Sequence, residues 1–257
     1  MPGNNRHSSP CATAVTAAID DYGFLSDCHS AALVDREGSI DWWCVPRFDS
    51  PSVFGRLLGP DAGHWSLRPT AEFETDRAYV GDTLVLRTVY TTSGGEVSVT
   101  DALGLELGAR GHDIGRRSPH VVLRTVEGRR GAVAMTTELV PRMEYGLTVP
   151  HIAGAPEETI ARGGPVRLTI TAPLALSCRP GRAEAAFTVH EGERVDFRLA
   201  FAPSFEGSST AEPTDEATLE DTIAAWESWV ALHTSYDGRH AEAVSYTHLT
   251  LPTKRIV

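Results

Sequence analysis

The stretch that decides the fold is SAALVDREGSIDWWCV, residues 30–45. Its two ends are short apolar runs, and the polar tetrapeptide Asp35–Gly38 between them ends in glycine, which adopts a positive φ most easily. Two such runs joined by a tight polar turn predict a β-hairpin. Because successive side chains of a strand alternate, only one of Trp42 and Trp43 faces the core, and core packing is the simplest role for it.

A stiff loop follows the hairpin, PRFDSP at positions 46–51. Each of its prolines fixes its own φ and restricts the residue before it. The loop holds Arg47, Phe48 and Asp49 between the two prolines. The next segment, Ser52–Leu58, has the pattern of one or two helical turns and is closed by a Gly-Pro pair.

The rest of the chain has the pattern of an all-β protein. Apolar and β-branched runs recur roughly every 8–12 residues with turn residues between them, as in sandwiches and barrels. We therefore expect a large antiparallel β-sandwich of the super-sandwich kind, followed by a C-terminal helix. The predicted strands after the hairpin are 64–68, 77–80, 83–91, 96–103, 119–127, 132–140, 166–172, 184–190 and 194–201.

Turn residues predict how the later strands connect. The GRRG segment at 128–131 predicts a hairpin between the strands on either side, with both arginines solvated at its tip. The EGE segment at 191–193 predicts a similar turn between the last two strands. The segment 150–164 is rich in proline, glycine and glutamate, which predicts an exposed connection.

A helix is predicted near the end of the chain. Thr214 followed by two acidic residues is a suitable N-cap, and apolar residues including Trp226 and Trp229 then fall at helical spacing. We interpret it as a connector toward a further domain, with both tryptophans at the interface. If nothing covers that side, these tryptophans and Phe48 should form a bare apolar face.

Composition divides the chain into five parts. The only lysine, Lys254, lies in a final segment without any Ala, Gly, Asp or Glu, so we interpret that segment as non-native sequence. The predicted parts are a disordered N-terminus (1–18), a β-sandwich domain (19–205), a linker (206–213), the connector helix (214–244) and a non-native tail (245–257).

Charge and hydrophobicity exclude several classes of partner. The formal net charge is −11, and a nucleic acid or an anionic membrane would require a basic surface instead. No apolar run reaches the roughly 18 residues of a membrane span, and the N-terminus lacks the apolar core of a signal peptide. We therefore expect a cytoplasmic protein without membrane or nucleic-acid partners.

The four cysteines do not form a metal or redox motif. Cys11, Cys28, Cys44 and Cys178 include no C-x-x-C pair. Cys28 and Cys44 flank the predicted hairpin and could approach each other, but reduced thiols are favoured without a secretory context. The ten histidines show no ligand pair on one helix, so neither a metal nor a cofactor is expected.

No catalytic motif is present. The sequence contains no G-x-S-x-G, H-E-x-x-H, P-loop or G-x-G-x-x-G. A glycosidase that inverts the anomeric configuration of its substrate needs two carboxylates about 6.5–9.5 Å apart. Asp20 and Asp21 are adjacent in a turn, and the glutamates of the predicted helix fit a solvated face. We therefore assign no catalytic residue.

The segment DYGFLSDCHSAALVDREGSIDWWCVPRFDSPSVFGRLLG (21–59) resembles the opening of bacterial glycoside hydrolase family 15 proteins, the trehalase and glucoamylase-like enzymes. The resemblance is most specific at 39–58 and covers all but the first eighteen and about the last thirteen residues. It implies an N-terminal β-sandwich that packs on a C-terminal (α/α)6 barrel containing both catalytic glutamates. The positions of those glutamates have no counterpart here, which implies a chain that stops before the barrel and is inactive alone.

The resemblance also implies a function for the whole enzyme and a site on this domain. The reaction would be hydrolysis of an α-glucosidic bond with inversion, on trehalose or an α-glucan, and the partners would be the barrel and the sugar. The 46–51 loop would reach the barrel and its sugar site, with Arg47 and Asp49 pairing or binding hydroxyls, Phe48 at the interface and Trp43 as a stacking face. An Arg47–Asp49 pair that only stiffens the loop is the alternative.

Two other functional classes remain open. A stand-alone carbohydrate-binding sandwich would present a row of exposed aromatic residues on one sheet, whereas the five tryptophans here are spread along the chain. A purely structural or interaction domain would present neither such a row nor a sugar site.

Overall fold

The computed structural model describes residues 18–205 and 217–232. Several sequence-based predictions lie outside these residues: most of the disordered N-terminus, Cys11, the linker 206–213, the N-cap at Thr214, the end of the connector helix, and the tail with Lys254. Among the described helices, none has the length and hydrophobicity needed to cross a membrane.

Fifteen antiparallel strands and one α-helix make up the described part of the chain, which confirms the all-β class. The first sheet contains β1 (Gly23–Ser26), β2 (Ala31–Val34), β3 (Ser39–Cys44), β4 (Ser52–Gly55), β5 (His64–Pro69), β13 (Ser177–Arg179) and β14 (Arg182–His190). The second contains β6 (Phe73–Tyr79), β7 (Leu86–Thr92), β8 (Gly95–Leu103), β10 (His151–Gly154), β11 (Glu158–Gly163), β12 (Val166–Thr171) and β15 (Arg194–Pro203). Strand β9 (Val121–Val140) belongs to both sheets.

Strand β9 is continuous, so the hairpin predicted at 128–131 is wrong. Its first half pairs with β8 and β15 in the second sheet, and its second half pairs with β5 and β14 in the first. The glycines permit close approach of backbones: a Cβ on Gly128 would lie 2.0 Å from the His190 carbonyl oxygen, and one on Gly131 would lie 2.5 Å from the Gly94 oxygen. Arg129 and Arg130 are exposed, but within a strand.

The last two long strands do not form the hairpin predicted at 191–193. Both run antiparallel to β9, β14 along its second half and β15 along its first half, and neither pairs with the other. The turn between them lies where β9 passes from one sheet to the other, as the hydrogen bond from Gly128 N to Glu193 O shows. Together they follow β9 as one bent ribbon.

The hairpin at 31–44 is confirmed. Strands β2 and β3 pair antiparallel with Leu33 opposite Trp42, and Gly38 in the turn has a φ of 84°. Trp43 is fully buried and Trp42 only partly, as alternation requires.

The segment after the stiff loop is a strand, not the predicted helical turns. Strand β4 pairs with β3, with Phe54 opposite Trp43, and only Arg56–Leu58 forms a short 3-10 helix. Val53 and Phe54 are both buried against the core, and this burial outweighs the helical pattern of the segment.

The segment 150–164 is also structured, contrary to the exposed connection predicted there. Strands β10 and β11 form a hairpin in which Ile152 pairs with Ala161, and both of these side chains are buried. The charged residues that indicated a loop, such as Glu158 and Arg162, occupy exposed positions of β11. The polar composition therefore reflects one solvated face of an edge hairpin.

A buried arginine joins the two sheets across the main core. Arg124 on β9 is inaccessible and forms an ion pair with Asp101, with 2.8 Å between Nε and Oδ1. Its terminal nitrogens donate to the carbonyl oxygens of Trp65 (2.9 Å) and Gly38 (2.8 Å), and its guanidinium lies 5.0 Å from the Trp65 ring centre. Most N–H groups of the Arg124 guanidinium thus have hydrogen-bond acceptors, as a buried cation requires.

Helix α1 (Leu219–Val230) packs on the sandwich. Its N-cap is Thr218 and not the predicted Thr214, because Thr218 is still extended and its Oγ1 accepts a hydrogen bond from Asp221 N at 3.1 Å. Trp226 is fully buried and Trp229 is 7% exposed, within a cluster that contains Leu84, Val85, Ala102, Leu105, Ala109 and Ile114. The expected bare tryptophan face is therefore absent, because the loop 104–114 and the residues preceding β7 cover it.

Hydrogen bonds hold the same loop against the helix. Leu105 N donates to Thr222 Oγ1 at 3.3 Å, and Gly111 N donates to Ser228 Oγ at 2.8 Å. The carboxylate of Asp221 accepts from Gly108 N at 2.8 Å and pairs with Arg110. This pairing lowers the pKa of Asp221, since the guanidinium stabilises its anion.

Candidate functional site

The 46–51 loop presents its three central side chains to solvent. Arg47 and Asp49 are 73% and 77% exposed and form an ion pair, with 3.1 Å between Nε and Oδ1. The hydrogen bond from Arg47 lowers the pKa of Asp49. An exposed pair of this kind adds little stability. Phe48 is 45% exposed. The loop is closed by two hydrogen bonds, in which Ser50 N donates to Arg47 O and Arg47 N donates to Ser50 Oγ, both at 3.1 Å.

Trp43 cannot be the stacking face that the resemblance implied. Its side chain has no accessible surface, its ring packs 6.1 Å from that of Phe54, and its Nε1 donates to Ser30 Oγ at 3.4 Å. The register of the hairpin directs it into the core. Its neighbour Trp42 is the tryptophan that retains some exposure.

A depression lies between the loop and the turn that joins β1 to β2. It encloses about 240 Å³ and is lined by Cys28, His29, Arg47, Phe48 and Asp49. Sequence reasoning missed Cys28 and His29, although the DCHS segment belongs to the stretch that supports the family resemblance.

A buried carboxylate shapes this turn. Asp27 is inaccessible, and its Oδ1 accepts from Ser30 N (2.6 Å), Ser30 Oγ (3.2 Å) and His29 N (3.0 Å). Its Oδ2 accepts from Ser118 Oγ. Cys28 has a φ of 69°, in the left-handed region that disfavours residues other than glycine. The Asp27 hydrogen bonds hold the turn in this unfavourable conformation and fix the position of His29.

The histidine ring is oriented by a second contact. His29 Nε2 lies 3.0 Å from the Gly115 carbonyl oxygen, and a carbonyl can only accept, so Nε2 has the hydrogen. In the neutral ring Nδ1 is therefore the acceptor nitrogen. The ring of His120 stands edge-on at 6.0 Å, and burial lowers the pKa of His120.

The residues of the depression suit binding better than catalysis. Burial, reinforced by Asp27, raises the pKa of the Cys28 thiol to about 12, so it stays protonated and is a poor nucleophile. The only carboxylate lining the depression is Asp49, which is ion-paired. A hydrolytic pair of carboxylates is thus missing from its lining.

An exposed apolar surface lies beside the loop, formed by Tyr145, Leu147 and Val149; we call it the Tyr145 surface. Leu147 is 84%, Val149 59% and Tyr145 45% exposed. The Tyr145 hydroxyl donates to Ser50 O at 3.3 Å, which ties this turn to the loop. The Tyr145 ring also lies 6.4 Å from that of Trp42.

The backbone of this turn is strained. Glu144, Tyr145 and Gly146 have successive φ values of 56°, 58° and 95°. Two of the three are not glycine, and such left-handed residues cost on the order of 1–3 kcal/mol each. The turn thus has an unfavourable backbone conformation and also exposes large apolar side chains to solvent.

A second cleft on the domain is lined by polar side chains. It encloses only about 60 Å³ and is lined by Asp35, Glu37, Ser39, Arg56, His64, Ser66, Arg68 and Glu138. Glu37 pairs with Arg68, and Glu138 lies 3.0 Å from Arg182. This space is too small for a sugar ring, and its glutamates are neutralised. Across the ranges 18–205 and 217–232 no group of three or more His, Cys, Asp or Glu could hold a metal ion.

Comparison with known proteins gives consistent matches. A family model described as trehalase-like, N-terminal, matches residues 11–181. The trehalase of Mycolicibacterium smegmatis is 33% identical in an alignment of 235 positions that covers 82% of this chain and 34% of that protein. The trehalase of Mycobacterium tuberculosis matches to the same extent. Trehalase 1 of Sulfolobus acidocaldarius is 35% identical over 131 residues, 51% of this chain and 20% of the relative. The chain thus spans about a third of the length of the first two relatives.

Proposed function

This chain belongs to the trehalase-like N-terminal domain family, and we propose that it serves as the non-catalytic N-terminal domain of an α-glucoside hydrolase of the trehalase type. The observation that supports this most directly is that the two mycobacterial trehalases match 82% of this chain with only 34% of their own length. In this proposal the catalytic carboxylates belong to a segment like the remaining two thirds of those relatives, and the bond is cleaved with inversion.

The Tyr145 surface is our proposed docking face for that catalytic segment. Exposed apolar patches on soluble proteins commonly mark a partner site. Leu147, at 84% exposed, would be covered in the complex, and the strained turn that presents it fits a conformation kept for a functional reason. The adjacent 46–51 loop would then lie at the edge of the sugar site, where the Arg47–Asp49 pair could rearrange to contact hydroxyl groups.

We further propose a cytoplasmic location and a trehalose or α-glucan substrate. Three free thiols, those of Cys28, Cys44 and Cys178, support a reducing compartment. The relatives' name supports trehalose as the first substrate to test.

The second candidate is a stand-alone carbohydrate-binding module. Burial of Trp226 and Trp229 favours it, since it makes the domain self-contained. Against it, Trp43 and Trp65 are also fully buried, so the described part of the chain presents no row of exposed tryptophans for sugar stacking.

A chimera tests the proposal. In the M. smegmatis trehalase, the matched N-terminal segment would be replaced by this chain, and trehalose hydrolysis would be compared with that of the same enzyme lacking the segment altogether. We expect the chimera to regain activity and solubility, and the Leu147→Ser chimera to regain less of both. A folded chimera that leaves trehalose intact, or hydrolysis by this chain alone, would contradict the proposal.

A further inference from the structure

We infer that the depression between His29 and the 46–51 loop binds a single pyranose ring, with His29 Nδ1 accepting a hydrogen bond from a sugar hydroxyl. This assignment rests on the proposed function for the identity of the sugar, and on the geometry for the site itself. Trp43 is buried and cannot contact a sugar. Phe48 and His29, which line the depression, are the groups that would contact the ring.

The chemistry of the lining fits a neutral, polyhydroxylated ligand. Arg47 and Asp49 have opposite charges that cancel, so the ion pair adds no net charge to the lining. Arg47 supplies donors, Asp49 and His29 Nδ1 supply acceptors, and sugar hydroxyls can use both. Phe48 adds a half-exposed ring for the apolar face of a pyranose.

The size of the depression suits a ligand of one ring. Its volume of about 240 Å³ lies just below the roughly 300–1,000 Å³ of pockets for drug-sized ligands. A phosphate or another anion would meet the Asp49 carboxylate. A metal ion would lack ligands, because no metal-binding group of three or more His, Cys, Asp or Glu exists in the described ranges.

The histidine is held in place before any ligand arrives. Its backbone N–H donates to the buried Asp27, its Nε2 donates to Gly115 O, and the left-handed Cys28 precedes it. A Cβ on Gly115 would lie 2.5 Å from Cys28 Cβ, so only glycine permits this approach. A binding group whose orientation is fixed in advance loses less entropy when a ligand binds.

Nuclear magnetic resonance on the full chain tests the assignment. The ¹⁵N-labelled protein would be titrated with D-glucose and with trehalose up to about 100 mM, because one small ring supports only a millimolar dissociation constant. We expect saturable shifts of the His29 ring nitrogens and of the amides of Cys28 and Phe48. The exposed His151 should not respond, and the acyclic polyol sorbitol should bind at least about tenfold more weakly.

Two variants keep the test decisive. His29→Phe should weaken sugar binding by at least about tenfold. Phe48→Ser should weaken it as well and should leave folding intact, because Phe48 is 45% exposed in a surface loop. Glu227→Ala, on the exposed side of α1, is the matched control and should bind normally. Absence of saturable shifts at His29 and Phe48, or equal binding by Phe48→Ser, overturns the assignment. Either result leaves the chimera experiment, and with it the proposed domain role, unaffected.

Discussion

Replacing Trp226 tests whether α1 is an integral part of the domain. The indole is fully buried among the apolar residues of the 104–114 loop and β8. Replacing a buried tryptophan with alanine typically costs about 3–5 kcal/mol of unfolding free energy. We expect the lower end, about 3 kcal/mol, because Nε1 of Trp226 is buried and has no hydrogen-bond partner among the described residues, so that its removal ends a penalty.

The assay is thermal and urea unfolding followed by circular dichroism. A loss of about 3 kcal/mol corresponds to a fall in Tm of roughly 6–12 °C for a domain of this size. Trp226→Phe keeps most of the apolar surface and removes the unsatisfied N–H, so its cost should be below about 1.5 kcal/mol. Glu227→Ala, one residue along the same helix but exposed, should change Tm within error.

The outcome separates a docked helix from a free connector. If Trp226→Ala lowered stability by less than about 1 kcal/mol, the helix would contribute no packing and the burial argument would fail. A large loss of stability in Glu227→Ala would equally refute it. Glu227 is exposed and alanine is the better helix former, so such a loss could come neither from packing on the sandwich nor from helix propensity.

Four further predictions follow from the sequence and the structure. The purified chain should release no glucose from trehalose, maltose or dextrin above a heat-killed control; measurable release would mean that a catalytic pair was overlooked. Leu147→Ser should reduce binding of a hydrophobic dye, whereas Ile19→Ser, at a similarly exposed position (87% against 84%), should not. Burial lowers the pKa of His64 to about 3, well below its unfolded value, so the unfolded chain binds more protons below neutrality and stability falls with acidification. Between pH 7 and pH 5 this costs up to about 2 kcal/mol, and His64→Gln should flatten the measured slope. Gly128→Ala should prevent stable folding, since its Cβ would lie 2.0 Å from a carbonyl oxygen, whereas Gly59→Ala meets nothing within 4 Å and should fold normally, as solubility and Tm would show.

The sequence predicted those elements whose signals lie within a few residues of each other. The tight turn at Asp35–Gly38 defines its hairpin within a few residues, and the helical spacing of Trp226 and Trp229 defines one face of α1. The same spacing could not show what covers that face, because the covering residues, such as Leu105, lie more than a hundred positions earlier in the chain.

The sequence-based predictions that were wrong share one physical cause. Each depended on contacts between residues that lie far apart in the chain. A glycine needed for a turn and a glycine needed for close approach look alike in sequence; at Gly128 the deciding neighbour is His190. Alternation predicted that one of two adjacent tryptophans is buried, but pairing with β4 determined that it is Trp43. Likewise, the position of His29 depends on Gly115, 86 residues away.

Strand β9 has a consequence for synthesis on the ribosome. Its partners β5 and β8 precede it, but β14 and β15, which pair along its other side, are made last, at 182–203. A nascent chain that has released β9 but not these strands therefore exposes an open edge along almost all of its 20 residues. Open edges of this length recruit other strands, and sheets with such distant pairing close slowly. The interval between translation of residues 140 and 203 is thus when this protein most needs a chaperone, and synonymous codons that slow translation there should lower its soluble yield.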